Sequence, residues 1–258
     1  MFQHLPQVTK NILLLNIAFF VASLILLSQG IDLNMTLGAH YLNSPFFEPY
    51  QIVTHFFMHS TDNFLHIFLN MWLFVMLGTY LERIWGPKRF FIFYIVSALG
   101  SFLLYNMIGF LEIQNLKTQL AQQFDLEQFN YFLKHTVDLN GDVIGQINQY
   151  IIDNNIQVTP ALNSYLGKSI TPMVGASGGV FGIMTAFAIL FPNTEFRLYF
   201  AIPVKAKYLV TGYVALELYL AFQNQASDNV AHLAHVGGAL AGAILVLYWR
   251  KIDRSNFW

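Results

Sequence analysis

Six apolar runs, each long enough to cross a lipid bilayer, constrain the fold of this 258-residue chain more than any other feature. A hydrocarbon core about 30 Å thick requires roughly 20 helical residues. Within it, a helix satisfies every backbone polar group in its own segment. We therefore predict an all-α polytopic membrane protein with six transmembrane helices. The runs cover approximately residues 11–29, 64–81, 90–110, 174–191, 206–222 and 230–249.

The composition agrees with a membrane location and excludes several kinds of chemistry. Hydrophobic residues make up 55% of the chain and charged residues only 10%, which is unusual for a water-soluble domain. The chain contains no cysteine, so disulfides, thiolate metal sites and a cysteine nucleophile are excluded. A formal net charge of −1 gives no indication of a nucleic-acid partner. We expect the lipid bilayer as a partner and no nucleic acid.

The distribution of basic residues predicts the orientation, because Lys and Arg accumulate in short cytoplasmic loops and tails. If the six runs alternate in direction, ten basic residues lie on one side of the membrane. The other side has only Lys117, Lys134 and Lys168, all within one long acidic segment. Both termini are therefore predicted to be cytoplasmic. The basic residues on the predicted cytoplasmic side are Lys10, Arg83, Lys88, Arg89, Arg197, Lys205, Lys207, Arg250, Lys251 and Arg254.

Residues 111–172 form a polar segment between the third and fourth runs, and a structureless loop of that length is improbable in a compact fold. Apolar residues recur at helical spacing over 116–133, and a second amphipathic stretch covers 143–152. The pair Asn140-Gly141 between them is typical of a turn. We predict an extramembrane helical hairpin inserted into the membrane domain.

Three of the runs carry polar residues close to their predicted outer ends. The second, fourth and sixth runs all enter from outside under this orientation, so their first turns lie at similar depth. His66 and Asn70 are four residues apart and share one helix face. Ser177 lies in the first turn of the fourth run, and His232 and His235 lie in the first turns of the sixth. We expect these groups to converge.

Taken separately, the motifs are more typical of helix packing than of catalysis. Gly178 and Gly182 form a small-xxx-small pattern, and Gly238 and Gly242 repeat it below His235. Taken together, Ser177, His235 and the pair of His66 and Asn70 supply a hydroxyl, an imidazole and hydrogen-bond donors. These are the groups that nucleophilic attack on a carbonyl requires. Close packing through the glycines would bring the hydroxyl to the imidazole.

Other reaction types fit the sequence less well. No histidine is followed by glutamate, so the HExxH metal motif is absent, although His55, His59, His66, His232 and His235 remain an alternative metal-binding set. An aspartyl intramembrane protease would need two carboxylates in facing spans. Glu217 is the deep acid of the fifth run, and the sequence gives it no catalytic role.

The ordered motifs resemble those of the rhomboid family of intramembrane serine proteases. The matching stretches are H-x-x-x-N from His66, G-A-S-G from Gly175 and A-H-x-x-G-x-x-x-G from Ala234, together with LERIWGPKRF at 81–90 and FPNTEFRLYF at 191–200. The resemblance implies a six-helix rhomboid-like bundle that forms a single membrane domain over residues 1–258, with 111–172 inserted into it.

The resemblance also implies a mechanism without metal or cofactor. It makes Ser177 the nucleophile and His235 the general base and acid of a dyad that has no third acid. The backbone N–H of Ser177 with His66 and Asn70 would form the oxyanion hole, and His232 is a lesser candidate for the base. Gly175, Gly178, Phe181, Gly238 and Gly242 would support the site, with Phe181 packed against the imidazole of His235.

The substrates implied are transmembrane proteins cut near their outer ends, and we expect the chain in a bacterial inner membrane. Two departures from the family stand out: Glu48-Pro49-Tyr50-Gln51 replaces a Trp-Arg pair that many members have in the first outer loop, and the insertion is unusually long. A catalytically silent rhomboid-like protein that binds membrane clients is the alternative function. A transporter with a polar midplane fits less well, because the polar groups cluster at one end of the spans.

Overall fold

The computed structural model of the chain describes residues 5–139, 141–198, 202–223 and 231–253, and most of them are helical. Asn140 and Arg254, which the sequence analysis used, lie outside the described residues. The helices are α1 (Gln7–Leu27), α2 (Leu33–Leu37), α3 (Gln51–Thr54), α4 (Phe64–Leu73), α5 (Thr79–Trp85), α6 (Pro87–Leu120), α7 (Leu126–His135), α8 (Val143–Asp153), α9 (Pro160–Ile170), α10 (Ser177–Leu190), α11 (Ala206–Gln223) and α12 (His232–Ile252). A 3₁₀ turn, His55–Phe57, follows α3, and a π-helical turn, Phe74–Gly78, joins α4 to α5. An antiparallel hairpin of β1 (Glu195–Leu198) and β2 (Ile202–Lys205) precedes α11, with Glu195 opposite Lys205 and Leu198 opposite Ile202.

Among the described residues, four helices are long and apolar enough to cross a membrane, namely Gln7–Leu27, Phe64–Trp85, Pro87–Leu120 and His232–Ile252. The chain is therefore an integral, multi-pass membrane protein. Helix α10 is also apolar but has only 14 residues. Helix α11 has 18 residues and includes Lys207 and Glu217, which lower its hydropathy. Six spans remain a prediction from the sequence.

The chain divides into two compact units. The first consists of Met1–Ile17, Asn63–Tyr105 and Gly175–Trp258, and it holds every residue that the sequence analysis assigned to the catalytic site. The second consists of Ala18–Asp62 and Asn106–Val174, so it combines the first long loop with residues 111–172.

Glycines bring α10 and α12 into backbone contact within the first unit. A Cβ atom added to Gly238 would lie 2.1 Å from the carbonyl oxygen of Gly178, and one added to Gly242 would lie 2.7 Å from the Cα of Gly182. Only residues without a side chain allow two helices to approach this closely. The two small-xxx-small patterns of the sequence therefore face each other, and they set the distance between the starts of these helices.

A buried glutamate at the end of the second long helix holds the start of α1. The Glu82 carboxylate accepts hydrogen bonds from the backbone N–H groups of Val8 and Thr9, at 2.9 and 2.7 Å, and from the Thr9 hydroxyl at 2.7 Å. Negative charge near a helix N-terminus is favourable, because the first N–H groups have no acceptor within the helix. Glu82 thus has a structural role in the first unit.

In the second unit, the first loop packs on the C-terminal part of α6. The ring of Tyr41 occupies the space beside Gly109, where an added Cβ would lie 1.8 Å from the ring. The backbone N–H of Leu42 donates to Asn106 Oδ1 at 2.8 Å, and Ala39 pairs with Met173 through two backbone hydrogen bonds of 2.8 Å. These contacts join the loop to the residues that flank 111–172 on both sides.

Residues 111–172 contain more helix than the predicted hairpin. Helix α6 continues to Leu120 instead of ending near residue 110, because no proline or glycine interrupts residues 111–120. Three further helices follow, and the last begins where Thr159 accepts a hydrogen bond from the N–H of Leu162 and proline occupies the first helical position. The prediction of a two-helix hairpin is therefore wrong, because the end of α6 and three further helices occupy this segment.

Gln51 anchors the first loop, at the stretch where the sequence departs from the family pattern. Its side chain is buried, its Oε1 accepts from the N–H groups of His40 and Glu48, and its Nε2 donates to the carbonyl oxygens of Thr36 and Phe46. A buried amide with all these partners holds several turns of backbone together. One glutamine therefore fastens the loop without the Trp-Arg pair.

Acid is expected to destabilise the second unit through His55. Burial lowers the pKa of His55 from 6.5 to about 4, and a hydrogen bond to the carbonyl of Gln51 opposes the shift only in part. The unfolded chain therefore binds a proton more readily than the folded one. This contribution to stability is complete above pH 6.5 and falls as the pH drops towards 4, by about 3 kcal/mol in total.

Chemical unfolding in detergent at pH 7.5, 6, 5 and 4 measures this effect. Burial also lowers the pKa of His40 in the same unit, so His55→Gln separates the two contributions. Between pH 6.5 and 4, the free energy of unfolding of the variant should fall less steeply with decreasing pH than that of the wild type. A slope identical to that of the wild type would show that His55 does not contribute.

Candidate active site

Ser177 is the first residue of α10, at a backbone turn that depends on glycine. Gly175 has φ +128°, a value that residues with side chains rarely adopt, and Ala176 is the N-cap. The Ser177 side chain is therefore at the helix N-terminus, where the first N–H groups are free of intrahelical bonds and the helix dipole is positive. The residue is half-buried.

The structure brings Ser177 together with His235 of α12. The Oγ of Ser177 is 2.9 Å from the Nε2 of His235, although the residues are 58 positions apart in the chain. The imidazole lies flat on the ring of Phe181, with ring centroids 4.4 Å apart and planes inclined by 10°. The backbone contact between α10 and α12 makes the serine–histidine distance possible.

A third group, Glu217 of α11, completes the arrangement. Its side chain is buried, and its Oε2 is 2.8 Å from the Nδ1 of His235 and 2.6 Å from the Nδ1 of His232. Its position in the sequence indicated no catalytic role. The sequence offered two signals. An acid lies within an apolar run, which is costly in a membrane unless the acid is paired, and two histidines three residues apart follow on one helix face.

His66 and Gly175 border the same small space as Ser177. The position of a Cβ atom on Gly175 is 3.1 Å from the Nε2 of His66 and 3.5 Å from the Oγ of Ser177. The absence of a side chain at Gly175 thus leaves a gap lined by a hydroxyl and an imidazole. Asn70 is buried one turn further along, and its amide donates to the carbonyl oxygen of His66 at 2.9 Å.

One group among the described residues has three ligand atoms close enough for a metal ion, and it consists of Glu217, His232 and His235. Their ligand atoms lie within 4.8 Å of one another. His55, His59 and His66, which the larger histidine set considered from the sequence includes, are not part of this group. In this structure the Glu217 carboxylate is hydrogen-bonded to each of the two imidazoles.

Comparison with known proteins identifies the family. The model of the Rhomboid domain matches residues 47–113 and 119–252, which is most of the chain. An uncharacterized mitochondrial rhomboid protein of Schizosaccharomyces pombe is 37% identical over 79 residues. That alignment covers 30% of this chain and 20% of the relative's length. Because the family match extends over both compact units and includes Ser177, His235 and Glu217, the chain belongs to the rhomboid family.

Proposed function

We propose that this protein is a serine endopeptidase that cleaves transmembrane proteins within the membrane. The observation that carries the proposal is the 2.9 Å separation of Ser177 Oγ and His235 Nε2. Family membership supports the reaction class, since rhomboids are generally intramembrane serine proteases. The half-buried positions of both residues agree with a site that substrate and water can reach.

In the proposed reaction Ser177 attacks the carbonyl carbon of the scissile peptide bond. Its proton moves to His235 Nε2 as the Oγ–carbon bond forms, and the carbonyl electron pair moves onto oxygen. Collapse of the intermediate breaks the carbon–nitrogen bond, and the proton passes from His235 to the departing nitrogen. Water then attacks the acyl-enzyme in the same way and releases the second product.

The negative oxygen of the intermediate needs preorganised donors. We assign this role to the N–H of Ser177, at the positive end of α10, and to the side chain of His66, which borders the gap at Gly175. Asn70 would supply a further donor from its amide, which can donate a second hydrogen bond beside the one to the His66 carbonyl.

The substrate class and orientation complete the proposal. Ser177, His66 and His235 all lie in the first two turns of their helices. With both termini cytoplasmic, these turns would lie near the outer face of a bacterial inner membrane, and substrates would be cut near their outer ends. The orientation depends on the basic residues of the predicted inner loops.

Ser177→Ala tests the proposal directly. The purified variant should cleave a tagged transmembrane substrate at least about 10⁴-fold more slowly than the wild type, because loss of the nucleophile removes the covalent step. An activated fluorophosphonate probe should label the wild type and not the variant. Both proteins are reconstituted in the same lipid, and their thermal unfolding is compared to show that the fold is retained.

Equal cleavage and labelling by the two proteins would refute the assignment. A wild type that neither cleaves nor reacts, yet captures the substrate in the bilayer, would establish the alternative function of a silent client-binding protein.

A further inference from the structure

A buried carboxylate lies behind the proposed catalytic histidine. Glu217 is 4% exposed and comes from α11, a different helix from those that carry Ser177 and His235. Its Oε2 is 2.8 Å from His235 Nδ1, on the side of the imidazole that faces away from Ser177. The dyad implied by the family resemblance has no counterpart to this residue.

When Glu217 is ionised, its contact with Nδ1 assigns the tautomer of His235. An ionised carboxylate only accepts hydrogen bonds, so His235 Nδ1 must carry a proton. In the neutral imidazole Nε2 is then the acceptor, and the hydroxyl of Ser177 donates to it. Glu217 therefore selects the form of His235 that can remove a proton from Ser177.

We infer that Glu217 is a positioning residue that completes a Ser177–His235–Glu217 triad. The inference rests on the proposed protease function, in which His235 takes a proton from Ser177 and becomes an imidazolium. That cation would form 2.8 Å from a buried carboxylate. A fixed negative charge at this position stabilises the imidazolium and holds the ring in place, while the proton of the hydroxyl stays on His235 Nε2 until the leaving nitrogen accepts it.

His232 holds the carboxylate in place. Its Nδ1 donates to the same Oε2 at 2.6 Å, from a position one turn before His235 on α12. The carboxylate is thus bound to two points of one helix and cannot turn away from His235 without losing a buried charge-assisted hydrogen bond, which is costly.

The distances favour direct hydrogen bonds over a metal centre at these three residues. A tetrahedral zinc ion holds its nitrogen and oxygen ligands about 2.0–2.2 Å away, which places the ligand atoms about 3.3 Å from one another. Here the nitrogen–oxygen pairs are 2.6 and 2.8 Å apart. A metal bound to His235 Nδ1 would also take the place of the proton that the triad requires there.

Two substitutions separate charge from shape. Glu217→Gln keeps the size of the side chain and removes its charge, whereas Glu217→Asp keeps the charge and shortens the side chain. We expect Glu217→Gln to lower kcat by about 10²–10⁴-fold with KM changed less than about threefold, because general-base catalysis is impaired while substrate binding is not. Glu217→Asp should retain at least about tenfold more activity than Glu217→Gln.

Glu82→Gln is the matched control. Glu82 is a second buried glutamate of the same unit, and its partners are the start of α1. The same chemical change there should lower the thermal unfolding midpoint and leave kcat per folded molecule within about twofold of the wild type. The contrast distinguishes a catalytic effect from a general loss of a buried charge.

The outcomes are separable from those of the Ser177→Ala experiment. If Ser177→Ala is inactive but Glu217→Gln cleaves at the wild-type rate, the protease assignment stands and the triad is refuted. Greater activity of Glu217→Gln than of Glu217→Asp would refute it as well, since shape would then matter more than charge.

Should Glu217→Gln fail to fold, a lowered kcat with unchanged KM in Glu217→Asp supports the triad, and an altered KM with unchanged kcat opposes it. Inactivation by a chelator and recovery with zinc would replace the triad with a metal site.

Discussion

Gly238→Ala is expected to reduce cleavage by at least about 10²-fold and to destabilise the folded protein by about 1–3 kcal/mol. The added Cβ would lie 2.1 Å from the carbonyl oxygen of Gly178 and 2.7 Å from its carbonyl carbon. Both are backbone atoms, so no side chain can rotate away, and α12 must move from α10. Overpacking of this kind costs about 1–3 kcal/mol.

The loss of activity follows from the position of Gly238 one turn after His235. Ser177 and His235 belong to the two helices that would separate, and their 2.9 Å contact has little tolerance. A misplacement of about 1 Å between reacting groups can reduce a rate by about 10²-fold. Activity should therefore fall even at temperatures where the variant remains folded.

Cleavage kinetics and thermal unfolding in one detergent measure the two effects. Gly212→Ala is the matched control, because it makes the same change within α11 at a position where the added Cβ would meet no atom within 4 Å apart from its chain neighbours and the local helix backbone. Alanine is the better helix former, so this control should be as stable as the wild type or more stable by up to about 1 kcal/mol. Wild-type activity in Gly238→Ala would mean that the α10–α12 contact does not set the catalytic distance.

His66→Ala is expected to lower kcat by about 10²–10³-fold, the usual effect of removing one donor to an oxyanion. The Nε2 of His66 borders the gap at Gly175, which the hydroxyl of Ser177 also borders. A donor in this position can bond to the oxygen that becomes negative in the intermediate. Because that charge is absent from the bound substrate, KM should change much less than kcat.

The control for this variant is Leu69→Ala on the same helix. Leu69 is 47% exposed in this structure, so its truncation removes little packing and leaves the donors in place. The rates of substrate cleavage and of fluorophosphonate labelling are measured for both variants. A His66→Ala protein with normal kcat would remove His66 from the oxyanion hole while leaving the nucleophile and base untouched.

The sequence predicts those features that depend on local patterns. The apolar runs correctly indicated helices over the six segments, and the four-residue spacing of Gly178 with Gly182 and of Gly238 with Gly242 indicated faces without side chains. Since a helix face is a local property, such patterns also indicated which residues could meet. That Ser177 and His235 lie near helix starts follows from where the apolar runs begin.

The role of Glu217 could not be predicted in the same way. Its contact with His235 depends on the rotation of α11 about its axis and on the distance between two helices, and neither is encoded in a short stretch of sequence. The end of α6 was missed for a different reason. A change from apolar to polar residues near position 110 indicates where a membrane span ends, but the helix itself continues through this change and ends at Leu120.

The stacking of Phe181 on His235 has a further consequence for the histidine. A flat stack prevents the ring from tilting, but rotation by 180° about the Cβ–Cγ bond returns the ring to the same plane with its two edges exchanged. The phenyl ring cannot distinguish these two states. The bond to Glu217 can, because only one edge carries Nδ1. Phe181 and Glu217 therefore restrict separate motions of the His235 side chain. Loss of the acid would leave a ring that cannot tilt but can rotate by 180° about the Cβ–Cγ bond.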